Sequence, residues 1–237
     1  MTDGAPEIRP LGMVVGGSLE HGLEVRLNAA SPVEEVKVGS FVAIQGQGSR
    51  YFGIVSDIAL EASDPSLRSA PPDVDDPFIA RIVSGTGAFA VARVSPRLTL
   101  SGDALSILDG PQPARSIPAH FSPAFPASES DINAIFGAED DRHIWIGSPL
   151  DMEETRVCLD LEELVKRSNG VFGKSGTGKT FLTRILLAGI LQKGVAVNLV
   201  FDMHSEYGWQ GTSEDGHAVK GLKQLFPSRV AVFSLDA

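Results

Sequence analysis

The run Gly173-Lys174-Ser175-Gly176-Thr177-Gly178-Lys179-Thr180 fits the pattern G-x-x-x-x-G-K-[ST], and no other feature of the 237-residue chain limits its fold as narrowly. It stands between the apolar pair Val171-Phe172 and a helical pattern from about Gly178 to Gln192, the strand–loop–helix context that gives the motif meaning. Glycines let the backbone wrap so that successive N–H groups converge on an anion. A helix start adds free amide donors and a partial positive charge. The sequence therefore predicts a nucleotide site made of Gly173, Lys174, Ser175, Gly176, Thr177, Gly178, Lys179 and Thr180. Lys179 is expected to reach the β- and γ-phosphates of ATP and to serve catalysis, and the Thr180 hydroxyl to ligate Mg²⁺. The competing reading is a glycine-rich turn that fits by chance. Average residue usage gives such a match in a chain this long roughly once in a hundred.

The surroundings predict a βαβ arrangement. The helix spans roughly 22 Å at 1.5 Å per residue, and Gly194 closes it. Val195–Phe201 is almost wholly apolar, as a parallel strand covered on both faces should be. A third strand-like run follows at Val230–Phe233. Asp202-Met203-His204-Ser205-Glu206-Tyr207 then sits at the carboxyl end of the second strand, where open α/β sheets place ligands. Asp202 could hold Mg²⁺ through water, and Glu206 could polarise an attacking water as a catalytic group. In the alternative reading Asp202 and His204 only hydrogen-bond loop backbone and cap the next element.

The first 110 residues read as β structure. Alternation shows at Leu23–Leu27 and Val36–Val38, with further runs at Phe41–Ile44, Tyr51–Ile58, Ile79–Val83, Phe89–Val94 and Leu98–Leu100. Glycines at Gly16-Gly17, Gly39, Gly46, Gly48, Gly53, Gly85 and Gly87 punctuate them as turns and bulges. Six or seven short strands without a long helix predict a small closed barrel. Glu61 to Phe78, with four prolines and five acidic residues, reads as a solvated loop. Prolines at 111, 113, 118, 123 and 126 predict an extended stretch outside any sheet interior. A short helix is expected at Asp131–Phe136, capped by Ser130 and stopped by Gly137. Strand-like pieces at His143–Ile146 and Arg156–Leu159 flank the turn Gly147-Ser148-Pro149. The expected organisation is a β-barrel over 1–110, a Pro-rich acidic linker over 111–142, and an incomplete α/β P-loop NTPase domain with a parallel sheet over 143–237.

Composition excludes several classes. A single cysteine, Cys158, leaves no disulfide framework and no multi-Cys zinc site, and reads as a small core residue. His21, His120, His143 and His217 are scattered without ligand spacing. A net charge of −10 argues against nonspecific nucleic-acid binding by the whole chain, although residues 166–237 hold nine basic against five acidic groups. The N-terminus shows no secretory pattern, and Phe181–Phe201 is too polar for a membrane span. A cytoplasmic protein with no membrane partner is expected.

Gly173–Thr180, the leucine-rich helix and Leu199-Val200-Phe201-Asp202-Met203-His204-Ser205-Glu206-Tyr207 together resemble the HerA branch of the HerA–FtsK superfamily of P-loop ATPases. That branch shows an aspartate, a histidine, a glutamate and a tyrosine in this order, matched here by Asp202, His204, Glu206 and Tyr207. Met203 and Ser205 stand where the family often has proline and glycine. The first 110 residues resemble the barrel that precedes the motor, shared with rotary ATP synthases. The resemblance implies a homo-oligomeric, usually hexameric ring that pumps double-stranded DNA in end processing or repair. It also implies work with a NurA-type nuclease, and ATP bound between subunits with an arginine from the neighbour. The family's second acidic motif, a strand ending in Asp-Glu, has no match after Phe201, since Val230–Ala237 ends in alanine. About three of the five or more parallel strands of such a motor are expected here, and the DNA-gripping pore loops and the arginine supplied to a neighbour are expected to be missing. The expectation is the N-terminal part of a longer motor, or a truncated product, that alone hydrolyses ATP hardly at all. The alternative is a barrel-based oligomerisation or partner-docking module with a vestigial nucleotide site. A small P-loop kinase or GTPase is a third reading, weakened because the chain has no Asn-Lys-x-Asp run and no arginine-rich lid.

Overall fold

Strand alternation in the first half of the chain builds one antiparallel sheet. A computed structural model describes residues 9–29, 31–70, 72, 75–83, 87–102, 110–212 and 216–234. The strands are β1 (Gly12–Ser18), β2 (Gly22–Leu27), β3 (Phe41–Gln45), β4 (Ser49–Ala62), β5 (Ala88–Ser101), β6 (Gln112–Pro113) and β7 (Pro123–Pro126). Their order is β2-β1-β7-β3-β4-β5-β6, and β2 also pairs with β5, so the ladder returns to its start. Inward positions recur with period two, as Leu23, Val25 and Leu27 on β2 and Ala90, Ala92 and Val94 on β5, all buried in one core.

Two bulges bend this closed sheet. Ser56 is the extra residue on β4, and Arg97 is the extra residue on β5, where Phe52 pairs with Leu98 but Gly53 pairs with Pro96. The Arg97 bulge absorbs a proline without a donor, which is why the two runs expected at Phe89–Val94 and Leu98–Leu100 form a single strand. At Gly53 a Cβ would stand 2.6 Å from the Ser95 carbonyl oxygen, so the close approach requires glycine.

Several expectations change in the fold. Val36–Val38 is no strand: a 3₁₀ turn at Val33–Glu35 precedes it, and Val36 packs on the core without pairing. Ile79–Val83 falls mostly in a helix, α2 (Pro77–Ile82), after a short α1 (Ser66–Ser69). Asp76 accepts the Phe78 N–H at 2.8 Å and Pro77 occupies the first helical position, a start signal stronger than the β-branched run. The Glu61–Phe78 stretch therefore holds the end of β4, α1 and the start of α2. The 111–142 stretch is no linker throughout, because β7 lies inside the sheet between β1 and β3. Its prolines sit at the strand ends, leaving the central Ala124 and Phe125 to supply backbone donors and acceptors. A helix α3 (Glu129–Phe136) follows, ended by Gly137 at φ 70°. Its cap is Ser128, not Ser130: the Asp131 N–H donates to Ser128 Oγ at 3.2 Å and the Ser128 N–H donates to Asp131 Oδ2 at 2.9 Å. Gly85 and Leu235–Ala237, named in the sequence expectations, lie outside the described residues.

Residue contacts divide the chain into one unit of residues 1–135 with 149–155, and a second of 136–148 with 156–237. The second unit opens with a hairpin of β8 (His143–Gly147) and β9 (Val157–Asp160), with Cys158 buried. Helix α4 (Leu161–Val165) starts on Asp160, whose carboxylate accepts the Glu163 N–H. The long α5 (Lys179–Lys193) ends at Gly194 in the left-handed region. Ile144, Leu161 and Ile190 form the core of this unit, and Val195 and Ala196 pack against it. A small ladder of β10 (Gly211–Thr212) and β11 (Ala218–Val219) precedes α6 (Leu222–Leu225). The parallel sheet is not formed: among the described residues, Val171-Phe172, Val195–Phe201 and Val230–Phe233 have no ladder partner. An all-apolar strand becomes a strand only with neighbours on its edges, and here Leu199 and Phe201 remain 84% and 87% exposed. No helix among the described residues is long and apolar enough to cross a membrane.

Candidate functional site

The phosphate loop occupies the entry to α5. Gly176 and Gly178 take φ 78° and 83°, a left-handed region that side chains resist, and Gly178 is the residue from which the helix starts. A Cβ on Gly173 would stand 2.5 Å from Thr177 Oγ1, so a larger residue at the loop's first position would displace the Thr177 hydroxyl that bonds the Lys174 carbonyl. The Lys174 carbonyl draws the loop together, accepting from Lys179 Nζ at 2.6 Å and Thr177 Oγ1 at 2.7 Å. The Lys179 ammonium is thereby folded over the loop, where a negative group would find it. The side chains of Lys174 and Ser175 are exposed, and Lys174 serves the loop through its backbone.

One turn of α5 faces the second motif. The Thr180 hydroxyl donates to Glu206 Oε2 at 3.5 Å, and four residues on, Arg184 Nε donates to the Glu206 carbonyl at 2.9 Å. Arg184 Nη2 donates to the same carbonyl. Spacing of four residues puts Thr180 and Arg184 on one helix face, so both reach the turn that follows Phe201.

Asp202 organises that turn. Its Oδ1 accepts the Glu206 N–H at 2.8 Å, and its Oδ2 accepts the N–H groups of Tyr207 at 2.8 Å and Gly208 at 3.2 Å. Burial alone would raise its carboxyl, but these three bonds and the nearby Arg184 charge hold it below the ordinary carboxylate range. Asp202 thus bonds loop backbone, as the alternative reading of this residue expects. Ser205 lies at φ 55°, which explains why glycine would suit that position. His204 is exposed, and Tyr207 joins the turn through its backbone, its carbonyl accepting the Leu222 N–H at 2.8 Å.

Comparison with known proteins places both units. Residues 11–94 match the HAS barrel domain, and residues 144–237 match the central domain of helicase HerA. Together the two matches support a HerA-like ATPase. Over 85 residues this HerA-like chain is 34% identical to a probable helicase, MJ1565, of Methanocaldococcus jannaschii. That alignment covers 36% of the chain and 16% of the helicase, so the chain matches only a small share of that relative's length.

The residues suit a nucleotide with a hard cation. Among the described residues no three His, Cys, Asp or Glu side chains gather into a metal-binding group. Mg²⁺ does not need one, since it keeps several waters and is bound by one or two protein oxygens plus substrate phosphates. Thr180 and Glu206 present such a pair of oxygens beside the loop. Arg184 is the residue that sequence reasoning missed, because it reads only as a polar break in an apolar helix. Its position four residues after Thr180 is the signal that could have found it.

Proposed function

We propose that this HerA-like chain binds ATP with Mg²⁺ at Gly173–Thr180, as part of a motor that translocates double-stranded DNA in end processing or repair. The single observation that supports this reading is the loop at the start of α5, with Lys179 folded over it and Thr180 facing Glu206. The Lys179 ammonium would take the β- and γ-phosphates, and the Thr180 hydroxyl would hold Mg²⁺, which neutralises phosphate charge when bound. Glu206 supplies a carboxylate that could orient water beside it, and Asp202 shapes the turn that presents Glu206. The family resemblance supports a cytoplasmic homo-oligomer, a hexameric ring, with double-stranded DNA and a NurA-type nuclease as partners.

Calorimetric titration with Mg-ATP tests the site. Lys179→Ala should weaken binding by roughly a hundredfold, the cost of deleting a charged partner of a desolvated anion. Equal affinity in both proteins refutes the proposal. A second reading, in which the closed sheet is an oligomerisation or docking module, is favoured by its self-contained core. An oligomer that ignores nucleotide and survives deletion of residues 166–237 would support that module.

A further inference from the structure

We infer that Arg184 is a positioning residue that sets the Glu206 carboxylate beside Thr180, and that through this contact it makes nucleotide binding depend on the divalent cation. This inference rests on the nucleotide-site reading above and adds the device that links cation to loop.

Glu206 is held from three sides. Asp202 takes its N–H at 2.8 Å, Arg184 takes its carbonyl through Nε at 2.9 Å and through Nη2, and its Oε2 lies 3.5 Å from the Thr180 hydroxyl. Two of those anchors come from one face of α5, and the third comes from the turn itself. A fork of two donors on one carbonyl fixes direction as well as distance, which a single flexible ammonium does not. The carboxylate is therefore aimed by backbone contacts at both ends of its own residue. Helix α5 carries both Thr180 and Arg184, so one helix face contacts both the carboxylate and the carbonyl of Glu206. A contact of 3.5 Å between Thr180 and Glu206 is long for a hydroxyl bond. It leaves the two oxygens as neighbours that a hard cation or its water could join.

The roles separate by chemistry. Glu206 is the group that faces the cation, whereas Arg184 and Asp202 touch neither cation nor nucleotide and act through Glu206. Losing an outer partner of this kind typically costs tenfold or more in metal affinity.

The experiment compares ATP affinity in Mg²⁺ and in EDTA for wild type, Glu206→Gln, Arg184→Ala and Arg184→Lys. Binding of Mn²⁺ is followed in parallel by paramagnetic resonance with the non-hydrolysable analogue present. Wild type should bind ATP more tightly with Mg²⁺, and its Mn²⁺ affinity should fall about tenfold in both Glu206→Gln and Arg184→Ala. The double variant should lose no more than either single one, because both act through one carboxylate. Arg184→Lys should recover part of the loss, and Arg184→Ala should leave ATP affinity in EDTA unchanged. That last readout separates lost positioning from a collapsed loop, and should Arg184→Ala fail to fold, Arg184→Lys against Glu206→Gln decides alone. Full cation dependence in Arg184→Ala, or in Arg184→Lys and Glu206→Gln together, overturns this inference and leaves nucleotide binding standing. Absence of ATP binding in wild type overturns both.

Discussion

Replacing Asp202 by alanine should loosen the turn that follows Phe201 by an amount that the hydrogen bonds set. Three backbone N–H groups, from Glu206, Tyr207 and Gly208, lose a charged acceptor. A bond to a charged group contributes about 1.5–3 kcal/mol, but this turn is only partly buried and water can replace the carboxylate. About 1 kcal/mol per bond is therefore appropriate, or about 3 kcal/mol for the three. At 1.4 kcal/mol per decade, this corresponds to roughly a hundredfold loss of protection. Amide hydrogen exchange at Glu206, Tyr207 and Gly208 reads that local opening. Asp202→Asn keeps one acceptor oxygen and should lose roughly tenfold. The pH dependence has a definite sign. Its carboxyl in the folded state lies below the ordinary 3.8, so its stabilisation is complete above that value and fades as pH falls through the folded value. Asp140, drawn down to about 2 by the His143 ring and by the N–H groups of Arg142 and His143, adds to the same acid-side loss. Unchanged protection of the three amides in Asp202→Ala refutes the organising role.

Ser205→Gly should stabilise the turn by up to about 1 kcal/mol, because the φ of 55° is unfavourable for serine; slower exchange of neighbouring amides is the measurement. Gly53→Ala should destabilise the closed sheet by about 1–3 kcal/mol or more, since its Cβ meets Ser95 backbone at 2.6 Å, and the urea midpoint of the sheet's transition checks this. Joint substitution Leu199→Thr and Phe201→Ser should leave stability within about 0.5 kcal/mol, because both side chains already face solvent. Dye binding to exposed apolar surface should fall in the same variant.

Local chemistry was legible wherever one segment held all the information. The glycines of Gly173–Thr180, the left-handed stop at Gly194, the β8–β9 hairpin and the alternation of β2 need only their own residues and turns. Tertiary structure decided what depends on distant partners. Pro123–Pro126 became an interior strand because β1 and β3 offered matching edges to Ala124 and Phe125. Val195–Phe201 has the composition of a buried parallel strand, yet forms no ladder, because composition cannot supply a neighbour. Asp202 and Glu206 were both visible as acidic residues after an apolar run, but nothing in that spacing says which one turns inward. The backbone wraps Asp202 in its own amides, and Arg184 reaches across from a helix twenty-two residues earlier to aim Glu206. Sequence thus determines the loop and its charge, while folding alone decides which carboxylate holds the turn and which is set beside Thr180.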